Sequence, residues 1–135
     1  MIKNKELGEK RNMKKKKNRK RNKKKMSEMI LDIASDYIAL GQSLDEKQNY
    51  LNGACTAWNI ATLPVEMRPL ALSQHLNQCQ IMSNGKGNIE DLRHDLLVLI
   101  ENKLRLYPTI NKKILNASIS HENGQEKITI ISTNS

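Results

Sequence analysis

This chain of 135 residues contains no Phe, and its aromatic residues are Trp58 and three tyrosines. The core must therefore be built from Leu, Ile, Ala and Met, and this composition favours helices because Leu, Ala and Met keep most of their rotamer freedom there. No apolar stretch approaches the roughly 18–20 residues that cross a bilayer, and no apolar segment follows the basic start, which argues against a membrane span or a secretory signal. Cys55 and Cys79 are the only cysteines, and we expect two buried, reduced thiols in a cytoplasmic protein.

Positive charge is concentrated at the N-terminus. Residues 1–25 carry 14 Lys or Arg and two Glu, a net charge of +12, whereas residues 26–135 carry a net charge of −3. Like charges at this density, without an apolar face, predict a segment that is disordered in isolation and available to polyanions. No aromatic side chain lies in the run to stack on a base, so we expect nonspecific, salt-sensitive RNA or DNA association. The candidate contacts are Lys14, Lys15, Lys16, Lys17, Arg19, Lys20, Arg21, Lys23, Lys24 and Lys25.

Two further interpretations of the basic segment stay open. A Lys/Arg cluster also satisfies a nuclear localisation pattern, which would direct the protein to the nucleus if the source is eukaryotic. Alternatively, the start codon is mis-assigned and translation begins at Met26, because Lys, Asn, Arg, Glu and Met supply 22 of the first 25 residues and can be encoded by purine-rich codons. On either view the chain divides into a basic segment, 1–26, and one globular domain, 27–135, with enough residues for a single core.

Residues 27–107 predict four or five short helices. Apolar residues recur at intervals of three and four in several stretches, and Ser43 with Glu46 forms a capping-box pattern before the second of them. Pro64 and Pro69 indicate either two short helices or one helix that restarts. Asn88 is a typical N-cap for the longest and most apolar helix.

Residues 114–132 change from a helical to a strand period. Polar and apolar residues alternate on both sides of Asn123-Gly124, a pair that suits a type I′ turn, and this turn places Ile119 opposite Ile128. A lone hairpin is marginally stable, and its outer edge is poor in charge, so we expect a homodimer formed by strand addition, with Ile131 as an interface candidate. The face predicted to pack on the helices consists of Leu115, Ala117, Ile119, Ile128 and Ile130.

Few residues are candidates for a metal or binding site. His75 and Cys79 are four residues apart and share a helical face, with Cys55 as a weak third zinc ligand and His94 as a distant fourth. Helical His-x-x-x-Cys is a weak motif, and we expect no metal and no cofactor. Trp58 is a candidate interface residue, because an indole with a polar partner often anchors a contact.

The sequence thus predicts an α-rich α+β fold in which four or five short helices precede a C-terminal β-hairpin and follow a disordered basic segment. The predicted function is a small non-catalytic binding or regulatory module. The alternative is a small enzyme whose site forms only in an oligomer and involves Cys55, His75 and His94.

Overall fold

The structure is a computed structural model that describes residues 24–134. In this range four α-helices precede a two-stranded antiparallel hairpin, which confirms the predicted fold class. The basic segment predicted to be disordered, 1–26, lies outside the described range except for its last three residues, and of these Met26 already begins the first helix. The elements are α1 (Met26–Ile38), α2 (Leu44–Thr62), α3 (Arg68–Met82), α4 (Ile89–Leu106), β1 (Ile114–Glu122) and β2 (Gln125–Ser132), with a 3-10 turn at Val65–Met67.

The helices begin where the sequence places its caps. The Glu46 amide donates to the Ser43 hydroxyl at 3.1 Å, and the Asp91 amide donates to the Asn88 side chain at 3.1 Å. The Glu46 carboxylate accepts from the Gln42 amide rather than from Ser43, so the expected capping box is only half formed. Pro69 lies in the first turn of α3, where its missing amide hydrogen is not needed.

Helix α2 lies at the centre of the molecule and packs against α1, α3, α4 and β1. Its small residues Ala54 and Ala57 are fully buried. A Cβ at Gly53 would lie 3.4 Å from the Tyr37 hydroxyl of α1, an ordinary van der Waals distance, so the two helices are in close contact at this position. The largest buried side chain, Trp58, is fully enclosed in the core.

A buried cation holds the connection between α4 and β1. The Lys103 side chain is 1% exposed, and its ammonium donates to the carbonyls of Tyr107 and Ile110 at 2.7 Å each. It lies 5.0 Å from the centre of the Trp58 ring, whose indole donates to the Lys112 carbonyl at 2.8 Å. Burial lowers the pKa of Lys103, and the nearby Arg68 charge adds to this. These contacts fix the segment that delivers the chain to β1.

The hairpin has the predicted register, with Ile119 opposite Ile128 around the Asn123-Gly124 turn. Both turn residues have positive φ, 53° and 78°, as a type I′ turn requires. The prediction that Leu115 packs on the helices is wrong. A register shift between Ile114 and Asn116 reverses the side chains at this end, so that Ile114 is buried and Leu115 is 66% exposed.

Two side-chain amides of α2 bond to the outer edge of β1. Asn59 donates to the Ile114 carbonyl at 2.9 Å and accepts from the Ile114 amide at 2.7 Å. Gln48 donates to the Ala117 carbonyl at 3.0 Å and accepts from the Ile119 amide at 3.0 Å. The two amides lie eleven residues apart, three helical turns or about 16 Å, close to the length of the five residue steps along the strand from Ile114 to Ile119. Each amide therefore pairs with β1 as a neighbouring strand would.

We expect Asn59→Ala to lower the free energy of unfolding by about 1–3 kcal/mol, because the substitution leaves the amide and carbonyl of the buried Ile114 without these partners. Gln78→Ala is the control, since Gln78 is an exposed side chain on α3. Urea unfolding of both variants measures the difference. Equal stability of the two variants would show that the Asn59 bonds do not hold β1.

Candidate functional site: the open edge of the hairpin

The two outer edges of the hairpin differ. The edge of β1 is covered by the amides of Gln48 and Asn59. The edge of β2 has no such cover within residues 24–134. An uncovered strand edge presents unpaired amide and carbonyl groups that another strand can bond.

The register identifies which groups point outward from β2. In an antiparallel pair, hydrogen-bonded and non-hydrogen-bonded positions alternate, and the residues that flank a two-residue turn bond to each other. The Ile119 amide is bonded from outside by Gln48, so the position that pairs Ile119 with Ile128 is a non-hydrogen-bonded one. Ile128 and Ile130 thus direct their amides and carbonyls away from β1. In the described part of the chain, neither residue has a hydrogen bond on that side.

The side chains along β2 leave this edge accessible. Ile128 and Ile130 are half-buried against the rest of the core, whereas Ile131 points the other way and is 53% exposed. Glu126 forms an ion pair with Lys47 of α2. From Ile128 to Ser132 the strand carries no charge, so no charged side chain in this stretch discourages pairing.

The cysteines and His75 form a pair rather than a cluster. Cys55 is buried, and burial raises the pKa of its thiol to about 12. Cys79 Sγ lies 3.4 Å from His75 Nε2, one helical turn away on α3, and burial raises the pKa of Cys79 and lowers that of His75. Across residues 24–134, no three His, Cys, Asp or Glu side chains meet as a metal site would require. The structure therefore brings together two of the three weak metal candidates.

The remaining candidates lie apart from one another. His94 lines a groove between α1 and α4, away from the cleft beside His75. Trp58 is fully buried and offers no surface to a partner, whereas Ile131 is exposed. Lys24 and Lys25 are exposed at the start of the described range. The other candidate nucleic-acid contacts, from Lys14 to Lys23, lie outside the described residues.

The sequence interpretation missed three polar residues that the fold depends on. Lys103 falls in the apolar stripe of α4, three and four residues after Ile100 and Leu99, and that spacing places it on the face that packs against the core. Gln48 and Asn59 share one face of α2 with the buried Cys55. Amides at this spacing on a buried face indicate backbone partners, but the pattern does not identify β1 as their partner.

Among the helices of residues 24–134, none combines the length and hydropathy that a bilayer crossing requires. Comparison with protein-family models, curated proteins and solved structures yields no match to this chain. The functional argument therefore depends on the geometry alone.

We expect a maleimide to label Cys79 before Cys55 in the native protein. Cys55 is buried, whereas Cys79 is partly exposed, and burial raises the pKa of the Cys55 thiol to about 12, so little thiolate forms there. Cys55→Ala should cost on the order of 1 kcal/mol of stability, as loss of a small buried group does. Mass spectrometry over a labelling time course separates the two thiols. If Cys55 reacted as fast as Cys79, its thiol would be accessible and Cys55 would again be a candidate nucleophile.

Proposed function

We propose that this protein is a non-catalytic binding module whose docking element is the outer edge of β2. The observation that supports the proposal is the asymmetry of the hairpin: α2 covers one edge, and the amides and carbonyls of Ile128 and Ile130 are unpaired on the other. Addition of a strand at this edge would satisfy those groups and give affinity through main-chain hydrogen bonds.

The partner that best fits the edge is a second copy of the chain. Two β2 strands can pair antiparallel about a two-fold axis with Thr129 opposite its own copy. Ile128 then lies opposite Ile130 of the second copy, so the outward groups of both strands bond each other. Lys127 lies opposite Ile131, and no like charges meet in this register.

The register makes a charge-specific prediction at Ile131. Ile131→Lys would place an ammonium opposite Lys127 of the second copy, whereas Ile131→Glu would place a carboxylate there. Symmetry creates each pair twice, at about 0.2–1 kcal/mol a pair, so the Lys variant should dissociate about tenfold more readily than the Glu variant. Sedimentation across a concentration series measures both dissociation constants.

The stability of the Ile131 variants and the oligomeric state of control variants test whether the edge of β2 is the interface. Because Ile131 is exposed, both variants should unfold at the same denaturant concentration as monomers. Leu115→Lys changes an exposed residue on β1 and should leave the dimer intact. A wild-type protein that stays monomeric at high micromolar concentration would overturn the proposal. If Leu70→Lys abolished the dimer and the Ile131 variants did not, the interface would be formed by the exposed apolar residues of α3 instead of by β2.

A second candidate function is nonspecific RNA or DNA association through residues 1–25. The observation that favours it is the net charge of +12 in this segment against −3 in the remainder. Each phosphate neutralised by Lys or Arg releases counterions, so such a segment confers salt-sensitive affinity without base recognition.

For this second function, changing Lys14, Lys15 and Lys16 to Gln should reduce the slope of log affinity against log salt by about two to three on single-stranded RNA. The control removes three cations from the domain, Lys86, Arg93 and Lys113, and should leave the slope almost unchanged. If the slope of log affinity against log salt fell equally in the two triple variants, the basic segment would not be the binding element.

A further inference from the structure

A cleft of about 380 Å³ lies between α2, α3 and the start of β1, and we call it the α2–α3–β1 cleft. Most of the residues that line it are apolar: Ile60 and Ile114 are buried, Leu63 and Ala71 are half-buried, and Leu115 is 66% exposed. Clefts of this size and composition hold small molecules, with a few polar groups that fix their orientation. The polar residues of this cleft therefore indicate what it can bind.

Two of the polar side chains that line the cleft have no partner within residues 24–134. The Asn59 amide is already bonded to the backbone of β1, and the His75 ring contacts Cys79, with 3.4 Å between Nε2 and Sγ. The Lys113 ammonium and the Thr56 hydroxyl, in contrast, have neither a hydrogen bond nor an ion pair in this part of the chain. Burial lowers the pKa of His75, so its ring is neutral near pH 7 and Lys113 carries the charge of the cleft.

The charge in and around the cleft is positive. Among the described residues, no Asp or Glu lines it. Beside it, the Arg68 guanidinium donates to the carbonyl of Leu63, a lining residue, at 3.0 Å, and the charge of Arg68 acts on the buried Lys103. Within residues 24–134, none of the cations Lys103, Arg68 and Lys113 has an ion pair, although residues 26–135 carry a net charge of −3. Cations that are not neutralised by acids attract an anion to this side of the domain.

We propose that the α2–α3–β1 cleft binds a small monocarboxylate with an apolar tail, whose carboxylate pairs with Lys113 and whose tail lies against Leu63 and Leu115. The two free donors, an ammonium and a hydroxyl, match the two oxygens of a carboxylate and are too few for a phosphate group. The apolar lining matches the tail, because an amphiphile that enters the cleft removes both surfaces from water. The proposal does not rest on strand addition or on polyanion binding, and it stands or fails separately from both.

NMR titration of the full chain with octanoate tests the site, because one of the three histidines of the chain, His75, lines the cleft. Octanoate should shift the ring resonances of His75 in a saturable manner and leave those of His94 and His121 in place. Octanol and octylammonium have the same tail but cannot pair with Lys113, so they should bind about fivefold more weakly or less. Equal affinity for the three probes, equal shifts of all three histidines, or no saturable shift of His75 would overturn the proposal.

Two matched pairs of variants locate the bound octanoate. Lys113→Gln should weaken binding about fivefold, whereas Lys112→Gln, which removes the same charge one residue outside the cleft, should leave the affinity almost unchanged. Leu115→Ser should weaken the binding of octanoate and octanol alike, whereas Leu70→Ser changes an equally exposed leucine outside the cleft and should affect neither. Urea unfolding of each variant verifies that the fold is retained. Equal loss of affinity in both members of a pair would overturn the proposal.

Discussion

The pairing of two α2 amides with the edge of β1 is the constraint on which the rest of this structure depends. A two-stranded hairpin is marginally stable alone, and here it follows a helical core that it must join. Asn59 bonds the backbone of β1 at its first residue and Gln48 bonds it near the middle, while Leu51, Ala54 and Trp58 between them on α2 stay buried. One helix thus supplies both the centre of the core and the neighbour of a strand.

This arrangement determines which surface is open. Because α2 bonds the outer edge of β1 only, the outward amides and carbonyls of Ile128 and Ile130 on β2 stay unpaired within residues 24–134. The buried Lys103 and Trp58 hold the segment before β1 and so fix the position at which the hairpin meets α2. The packing of the hairpin on α2 thus determines that the edge of β2 stays open. This open edge is the feature that supports the proposed binding function.

Local patterns predicted much of this fold. The Asn123-Gly124 turn determined the register because its geometry depends on two adjacent residues, and the caps at Ser43 and Asn88 depend on contacts three residues apart. The reversal at Leu115 could not be predicted, since it depends on how Ile114 meets Asn59 across 55 positions of the chain. The same limit applies to the site: the strand pattern identified Ile131 as an interface candidate, whereas the cover on β1 comes from long-range contacts.

Amide hydrogen exchange of the monomer tests this account most directly, because it reports on each edge of the hairpin separately. The account predicts slow exchange at the amides of Ile114 and Ile119, which bond to Asn59 and Gln48, and fast exchange at those of Ile128 and Ile130. Equal protection of the two pairs of amides in the monomer would contradict it, because both edges would then be covered.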